Sequence, residues 1–163
     1  MNIKLIPFSK KHLEFSRRWM NDKEICRLFN RTYKPLSVAA QQSWFKKIMK
    51  DETQLILAIE TRGVYVGNVG LKSIDLVNKK CEFYIFIGDK EYWGKGIGTE
   101  ATKIIIDRVK KMKIHKIYLH VDETNLAARK MYQKTGFVEE GILKDELLRS
   151  GKYINMIRMA LFL

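Results

Sequence analysis

The chain has 163 residues, 46% hydrophobic and 30% charged, which excludes a disordered polymer and sets the expectation of one globular domain spanning 1–163. Thirty-one Lys and Arg against eighteen Asp and Glu give a net charge of +13, an excess that favours nucleic acid, an acidic surface or a phosphorylated small molecule as partner. No apolar run approaches the ~20 residues of a membrane span, no secretory leader is legible in MNIKLIPFSKKHLEF, and Cys26 and Cys81 make no disulfide framework, so a cytoplasmic protein without a membrane partner is expected.

IKLIPF (3–8) reads as a first strand, and Ser9 as the cap of a helix carrying Leu13, Phe15, Trp19 and Met20. A second short helix is expected over 22–30. KPLS breaks the pattern, and Ser37 caps a helix to Lys50 that buries Val38, Trp44, Phe45 and Ile48. QLILAIE (54–60) reads as a strand, TRG (61–63) as a turn into VYVGNVGLKSI, and Asn78-Lys79-Lys80 as a turn into CEFYIFI. These form a meander of antiparallel strands. Helical spacing returns at Ile97, Ala101, Ile104, Ile105 and Val109. HKIYLHV (115–121) is a strand whose connection across that helix implies a parallel neighbour. Asn125 to Lys134 is a helix stopped by Gly136, and two strands joined at Ser150-Gly151 follow. The fold class is α/β (α+β), a mixed, mostly antiparallel central sheet flanked by helices.

EYWGKGIGTEA (91–101) lies where a strand hands over to a helix. Glycines let backbone N–H groups converge there, the helix N-terminus adds partial positive charge, and Lys95 adds a full one, which suits a phosphate compound. Two nucleotide motifs fail. Gly88 is followed by five residues before Gly94-Lys95, and Gly96 replaces the Ser or Thr of a Walker loop. The glycines run Gly-x-Gly-x-Gly after an antiparallel meander, which is not the dinucleotide fingerprint.

WGKGIG (93–98) instead resembles the pyrophosphate loop of the GNAT acetyltransferases, usually Gln/Arg-x-x-Gly-x-Gly/Ala, with Trp93 in the place of Gln or Arg and Gly96 and Gly98 matching. NLAARKMYQKTGF (125–137) is similar to the Asn-x-x-Ala-x-x-x-Tyr-x-x-x-Gly-Phe of the ribosomal-protein N-acetyltransferase branch, with Asn125, Ala128, Tyr132, Gly136 and Phe137 in register. GILKDELLRSGKYINMIRMALF (141–162) is similar to the two final strands of spermidine acetyltransferases.

The resemblance implies a splayed strand pair whose main chain receives pantetheine at Phe86, Ile87 and Gly88. Lys95, Gly96, Ile97, Gly98 and Thr99 would wrap the pyrophosphate of acetyl-CoA, the cosubstrate. Asn125 and Lys130 would add coenzyme contacts, and Lys134 would reach the ribose phosphate. Tyr132 matches the family tyrosine beside the sulfur and becomes the general acid; its other reading is a packed helix tyrosine. Glu82 becomes the base or the holder of the amine; an exposed strand-end carboxylate is the competing reading. His120 is a weaker rival, and His12 and His115 read as surface residues. No His/Cys/Asp cluster has metal-ligand spacing, so no metal is expected.

The implied activity is transfer of acetyl to a primary amine by direct attack in a ternary complex. Acceptor selectivity falls to residues 9–50 and 138–155, with Trp19, Phe29, Tyr33, Trp44 and Phe45 as candidate cleft aromatics. Three acceptor classes stay open: a polyamine, an amino group on a phosphorylated sugar and, as an alternative, a protein N-terminus. A polycation prefers a cleft lined with carboxylates, which a chain at +13 does not obviously offer. A different class is an inactive scaffold serving as an RNA- or ribosome-binding module, although no nucleic-acid motif is present and nucleic acid is not an expected partner. Self-association as a homodimer is the expected assembly.

Overall fold

In the computed structural model, which describes residues 2–28 and 33–163, seven strands form one sheet in the order β1-β2-β3-β4-β5-β7-β6. The strands are β1 Ile3–Pro7, β2 Leu55–Thr61, β3 Val64–Asp75, β4 Lys80–Ile87, β5 Lys116–Asp122, β6 Val138–Arg149 and β7 Lys152–Phe162. The helices are α1 Leu13–Met20, α2 Lys23–Leu28, α3 Val38–Ile48, α4 Ile97–Lys111 and α5 Leu126–Lys134. All strand pairs are antiparallel except β4 with β5. The crossover through α4 produces that parallel pair, as the sequence pattern requires. Left-handed Arg62 and Gly63 (φ 51° and 78°) close the β2–β3 hairpin, and Ser150 and Gly151 (φ 49° and 77°) close β6–β7, the dihedrals that two-residue hairpin loops demand.

Strand alternation sends β4 residues to opposite faces. Cys81 and Phe83 enter the core with Leu71, Ile117, Leu119, Met159 and the buried stripe Ile97, Ala101, Ile105 and Val109 of α4. Ile104, expected on that stripe, is 39% exposed, and Ile106 is buried instead. The opposite face, bearing Glu82, Tyr84, Phe86 and Gly88, meets α1. There the Trp19 ring packs against Tyr65, with centroids 4.8 Å apart, and edge-on to Phe86 at 6.1 Å. A Cβ on Gly88 would lie 2.0 Å from that indole, so only glycine allows the helix to approach β4 so closely. In α3, Ile48 is buried as expected, but Val38 and Trp44 are exposed; Gln41 takes the inward position and donates to the Leu13 carbonyl at 2.8 Å. The predicted helix over 22–30 is observed as Lys23–Leu28, and its last two positions lie outside the described residues.

His12 corrects an expectation. Ser9 starts a single 3-10 turn, Lys10–His12, and its N–H donates to His12 Nδ1 at 3.0 Å. That bond draws the imidazole inward, where it stacks on Phe8 at 5.4 Å and is only 2% exposed. With Nδ1 accepting, Nε2 carries the proton and has no hydrogen-bond partner among the described residues. Burial, reinforced by Lys11 and opposed by Glu60 and the Ser9 N–H, lowers its pKa below 6.5. A base so depressed stays neutral in the fold while the unfolded chain takes up a proton, so stability is lost as pH falls through 6.5. The melting temperature should drop between about pH 7.5 and about pH 5.5, and His12→Phe should flatten that drop. A variant with the same pH slope as the parent would contradict this.

Candidate active site

The parallel strands β4 and β5 are paired only at Lys80–Lys116, Cys81–Ile117 and Glu82–Tyr118. Beyond Glu82, β4 follows β3 and β5 follows β7, so the sheet parts into a gap. Ladder parity decides which peptide groups face it. The Gly88 N–H donates to the Val66 carbonyl at 2.9 Å, and residues of an antiparallel strand alternately face and turn away from their partner. Phe86 and Gly88 therefore direct their main chain to β3, whereas Ile85 and Ile87 direct theirs into the gap. On β5, the bond from Leu163 N–H to the His115 carbonyl, 2.9 Å, sets the opposite parity and turns the His120 main chain toward β4. Of the three pantetheine candidates, only Ile87 presents its peptide groups to the gap. Its carbonyl accepts the Trp93 indole N–H at 2.8 Å, so Trp93, in the place of the family's Gln or Arg, ties the glycine loop to the strand.

Gly94 and Gly96 have φ of 70° and 77°, a left-handed backbone that side chains disfavour. The first bond of α4 runs from Glu100 N–H to the Gly96 carbonyl at 3.2 Å, so the amides of Ile97, Gly98 and Thr99 have no helical acceptor. This end of α4 opens on a concavity of about 340 Å³ lined by Gly96, Thr99, Glu100, Lys103 and Lys134. Ile97 is 2% exposed and anchors the turn in the core. The Lys95 ammonium sits 5.4 Å above the Tyr92 ring. Lys130 is exposed and is not among the residues lining that concavity. Asn125 caps α5 through Oδ1, which accepts the Ala128 N–H at 3.2 Å.

Glu82 and His120 are brought together, with His120 Nδ1 3.2 Å from Glu82 Oε1. A carboxylate only accepts, so Nδ1 donates and the neutral ring keeps its lone pair on Nε2. Lys72 Nζ lies 3.0 Å from the same Oε1, and among the described residues Oε2 accepts no hydrogen bond. Burial raises the Glu82 pKa, but the bonds from His120 and Lys72 outweigh it and hold the carboxyl below its usual range. Lys72 was the partner that sequence reasoning missed; only the β3–β4 register, which sets it opposite Glu82, reveals it.

Tyr132 reaches the opposite face. Its ring meets Phe83 edge-on at 6.2 Å and Phe137 at 5.8 Å, and no described residue hydrogen-bonds its hydroxyl. Burial pushes its pKa up, keeping the phenol protonated. Cys81 is fully buried, and burial pushes its thiol up to about 12, which denies it the thiolate form a nucleophile needs. Of the candidate cleft aromatics, Trp19 borders β4, Trp44 and Phe45 pack on Phe8, and Tyr33 is exposed beneath Lys23. Phe29 lies outside the described residues. His115 is at the surface, as expected.

The acetyltransferase (GNAT) domain model matches residues 2–138. The chain belongs to the GNAT acetyltransferases. It is an acetyl-CoA-dependent N-acetyltransferase. The spermidine N(1)-acetyltransferase of Escherichia coli K12 is 32% identical over 163 residues, 99% of this chain and 86% of that enzyme. The structure of Vibrio cholerae spermidine N-acetyltransferase with CoA and spermine superposes with a TM-score of 0.92 at 27% identity, covering 98% of this chain and 95% of that one. The same Vibrio enzyme in a dodecameric structure gives 0.84 at 27%, covering 98% and 93%. The expected fold class, splayed pair included, is the one observed.

Trp93→Phe keeps the ring and removes the bond to Ile87. A neutral hydrogen bond is worth about 0.5–1.5 kcal/mol, so the KM for acetyl-CoA should rise about two- to tenfold while kcat holds. Equal KM values in steady-state kinetics would show that Trp93 does not order the loop.

Proposed function

We propose that this enzyme acetylates a primary amine of a small molecule by direct attack on the thioester within a ternary complex. The observation that carries this reading is the placement of chemistry on the two faces of the gap: Glu82 and His120 on one, Tyr132 on the other. Polyamines, named with its relatives, head the acceptors to test, and amino sugars follow. Glu82 Oε2 receives the ammonium. His120 Nε2 takes its proton, since a carboxylate held below its usual range is the poorer acceptor. As the new C–N bond forms and the C–S bond breaks, Tyr132 donates its proton to the departing thiolate, and the second proton shed by the new amide nitrogen restores the phenol. Cys81, locked as a thiol, offers no acyl-enzyme route.

The amides of Ile97, Gly98 and Thr99, with Gly96 and Lys95, hold the pyrophosphate. The Ile85 and Ile87 peptides take pantetheine as an added strand, bordered by Phe86 and Gly88. Asn125 Nδ2 and Lys130 extend the coenzyme site, and Lys134 serves its phosphates. We place the enzyme in the cytoplasm. It self-associates through β6, a sheet edge on which Val138, Ile142 and Leu148 are exposed, and light scattering should find no monomer.

Tyr132→Phe should lower kcat about 10²-fold, the lower end of what a general acid contributes, with the KM for acetyl-CoA and the melting temperature nearly unchanged. Full turnover by that variant at neutral pH would remove Tyr132 from the chemistry. Glu82→Gln should raise the KM for the amine at least about tenfold, the worth of one charge-assisted contact, and leave the KM for acetyl-CoA alone. An assay of the parent enzyme with acetyl-CoA and a panel of amines reads the activity itself; turnover of none defeats the reading.

A further inference from the structure

The β6–β7 hairpin runs past the end of β5. Asp122, the last residue of β5, pairs with Met156, and residues 152–155 of β7 continue beyond it. This overhang is tied at two points to the turn 123–125, which hands β5 over to α5. The Glu123 N–H donates to the Asn155 carbonyl, and Asn155 Nδ2 donates to the Glu123 carboxylate, both at 3.2 Å. Arg149, the last residue of β6, donates through Nη1 to Asp122 Oδ2 at 2.7 Å. That second tie is buried, the two side chains being 16% and 4% exposed. Arg149 Nε and Nη2 are buried with no acceptor among the described residues.

Unbonded buried donors cost stability, and a buried ion pair is often no more stabilising than apolar side chains of similar volume. The worth of the pair is therefore in geometry. Asp122 Oδ1 accepts the Thr124 N–H at 2.8 Å and the Thr124 hydroxyl at 2.7 Å, and the Asp122 carbonyl accepts the Asn125 N–H at 2.9 Å. Arg149 on Oδ2 keeps the carboxylate turned toward Thr124. Asn125 caps α5, and Tyr132 follows seven residues on, two turns along the same helix face and ~10 Å from the cap. A tilt of about 5° at the cap moves a group at that distance by about 1 Å, a misplacement that costs a positioned catalytic group much of its effect.

We propose that Arg149 is a positioning residue: through Asp122 it sets the angle at which α5 leaves β5, and so the place of the Tyr132 hydroxyl at the gap. The proposal rests on the reading of Tyr132 as the general acid and adds the residue that aims it.

The test is a double-mutant cycle on kcat. It compares the parent, Arg149→Met, Tyr132→Phe and the double variant, with acetyl-CoA and either spermidine or glucosamine, whichever the parent turns over faster, and with thermal melting to verify folding. Arg149→Met should lower kcat at least about tenfold while Tyr132 is present, and less than about twofold in the Tyr132→Phe background, because an absent proton donor cannot be misplaced. Arg149→Lys, which keeps a cation beside Oδ2, should recover most of the loss. Asp122→Asn combined with Arg149→Met removes both charges and leaves an oxygen for Thr124; it should melt close to the parent and lose kcat as Arg149→Met does, which separates the effect from misfolding. An equal loss in both Tyr132 backgrounds, or an unchanged kcat, overturns the inference and leaves Tyr132 as the acid. Full turnover by Tyr132→Phe alone, or turnover of neither amine by the parent, overturns reading and inference together.

Discussion

The parting of β4 from β5 after three paired residues is the constraint on which the rest of the site depends. Unpaired backbone groups inside a sheet are costly unless something else bonds them, and here the sequence leaves Ile85 and Ile87 facing an open gap. Neighbouring features keep it open. Trp19 seats on Gly88 and holds the end of β4 against α1. Trp93 binds the Ile87 carbonyl and joins that end to the glycine loop. Below the gap, Phe83 meets Tyr132 edge-on and Phe137 packs tilted against both, filling the space between the two strands without closing the ladder. A slot edged by peptide groups and ending at free helix amides fits a long ligand with two amides and a diphosphate.

The electrostatics of the acceptor side follow from the same register. Because Lys72, Glu82 and Tyr118 are cross-strand neighbours and His120 lies two residues on, one face carries a carboxylate with a cation and an imidazole on a single oxygen. Of the acids on the neighbouring strands, Glu139 is paired with Arg129, Glu140 with Lys116 and Arg158, and Asp122 with Arg149. Relatives that share the fold and the acyl donor can therefore differ in acceptor through a few charges, with no change to the gap between β4 and β5.

Much of the fold was legible because its signals are local: alternating strands, turn residues at Arg62-Gly63 and Ser150-Gly151, the α4 stripe, and the glycines before it. The glycine loop and Tyr132 stood out in the sequence because each sits in a motif of fixed spacing. What escaped depends on contacts between distant segments. His12, preceded by Lys10 and Lys11, reads as surface, yet Phe8 and Tyr65 enclose it. Ile87 and its neighbours differ in which way their peptide groups face, by a strand parity that the β3 register sets. Lys72 reads as one more lysine until three strands are aligned. Val38 and Trp44 look like core on apolarity alone, but Gln41 bonding to Leu13 rotates α3 so that they face outward.

Residue-resolved amide hydrogen exchange, with and without CoA, reaches the backbone groups directly. The amides of Ile85, Ile87, Ile97, Gly98 and Thr99 should slow on binding, while those of Phe86 and Gly88, already bonded to β3, should keep their rates. Protection of Phe86 and Gly88 alone, or no change at the start of α4, would mean that the coenzyme lies elsewhere and that the gap between β4 and β5 is not its slot.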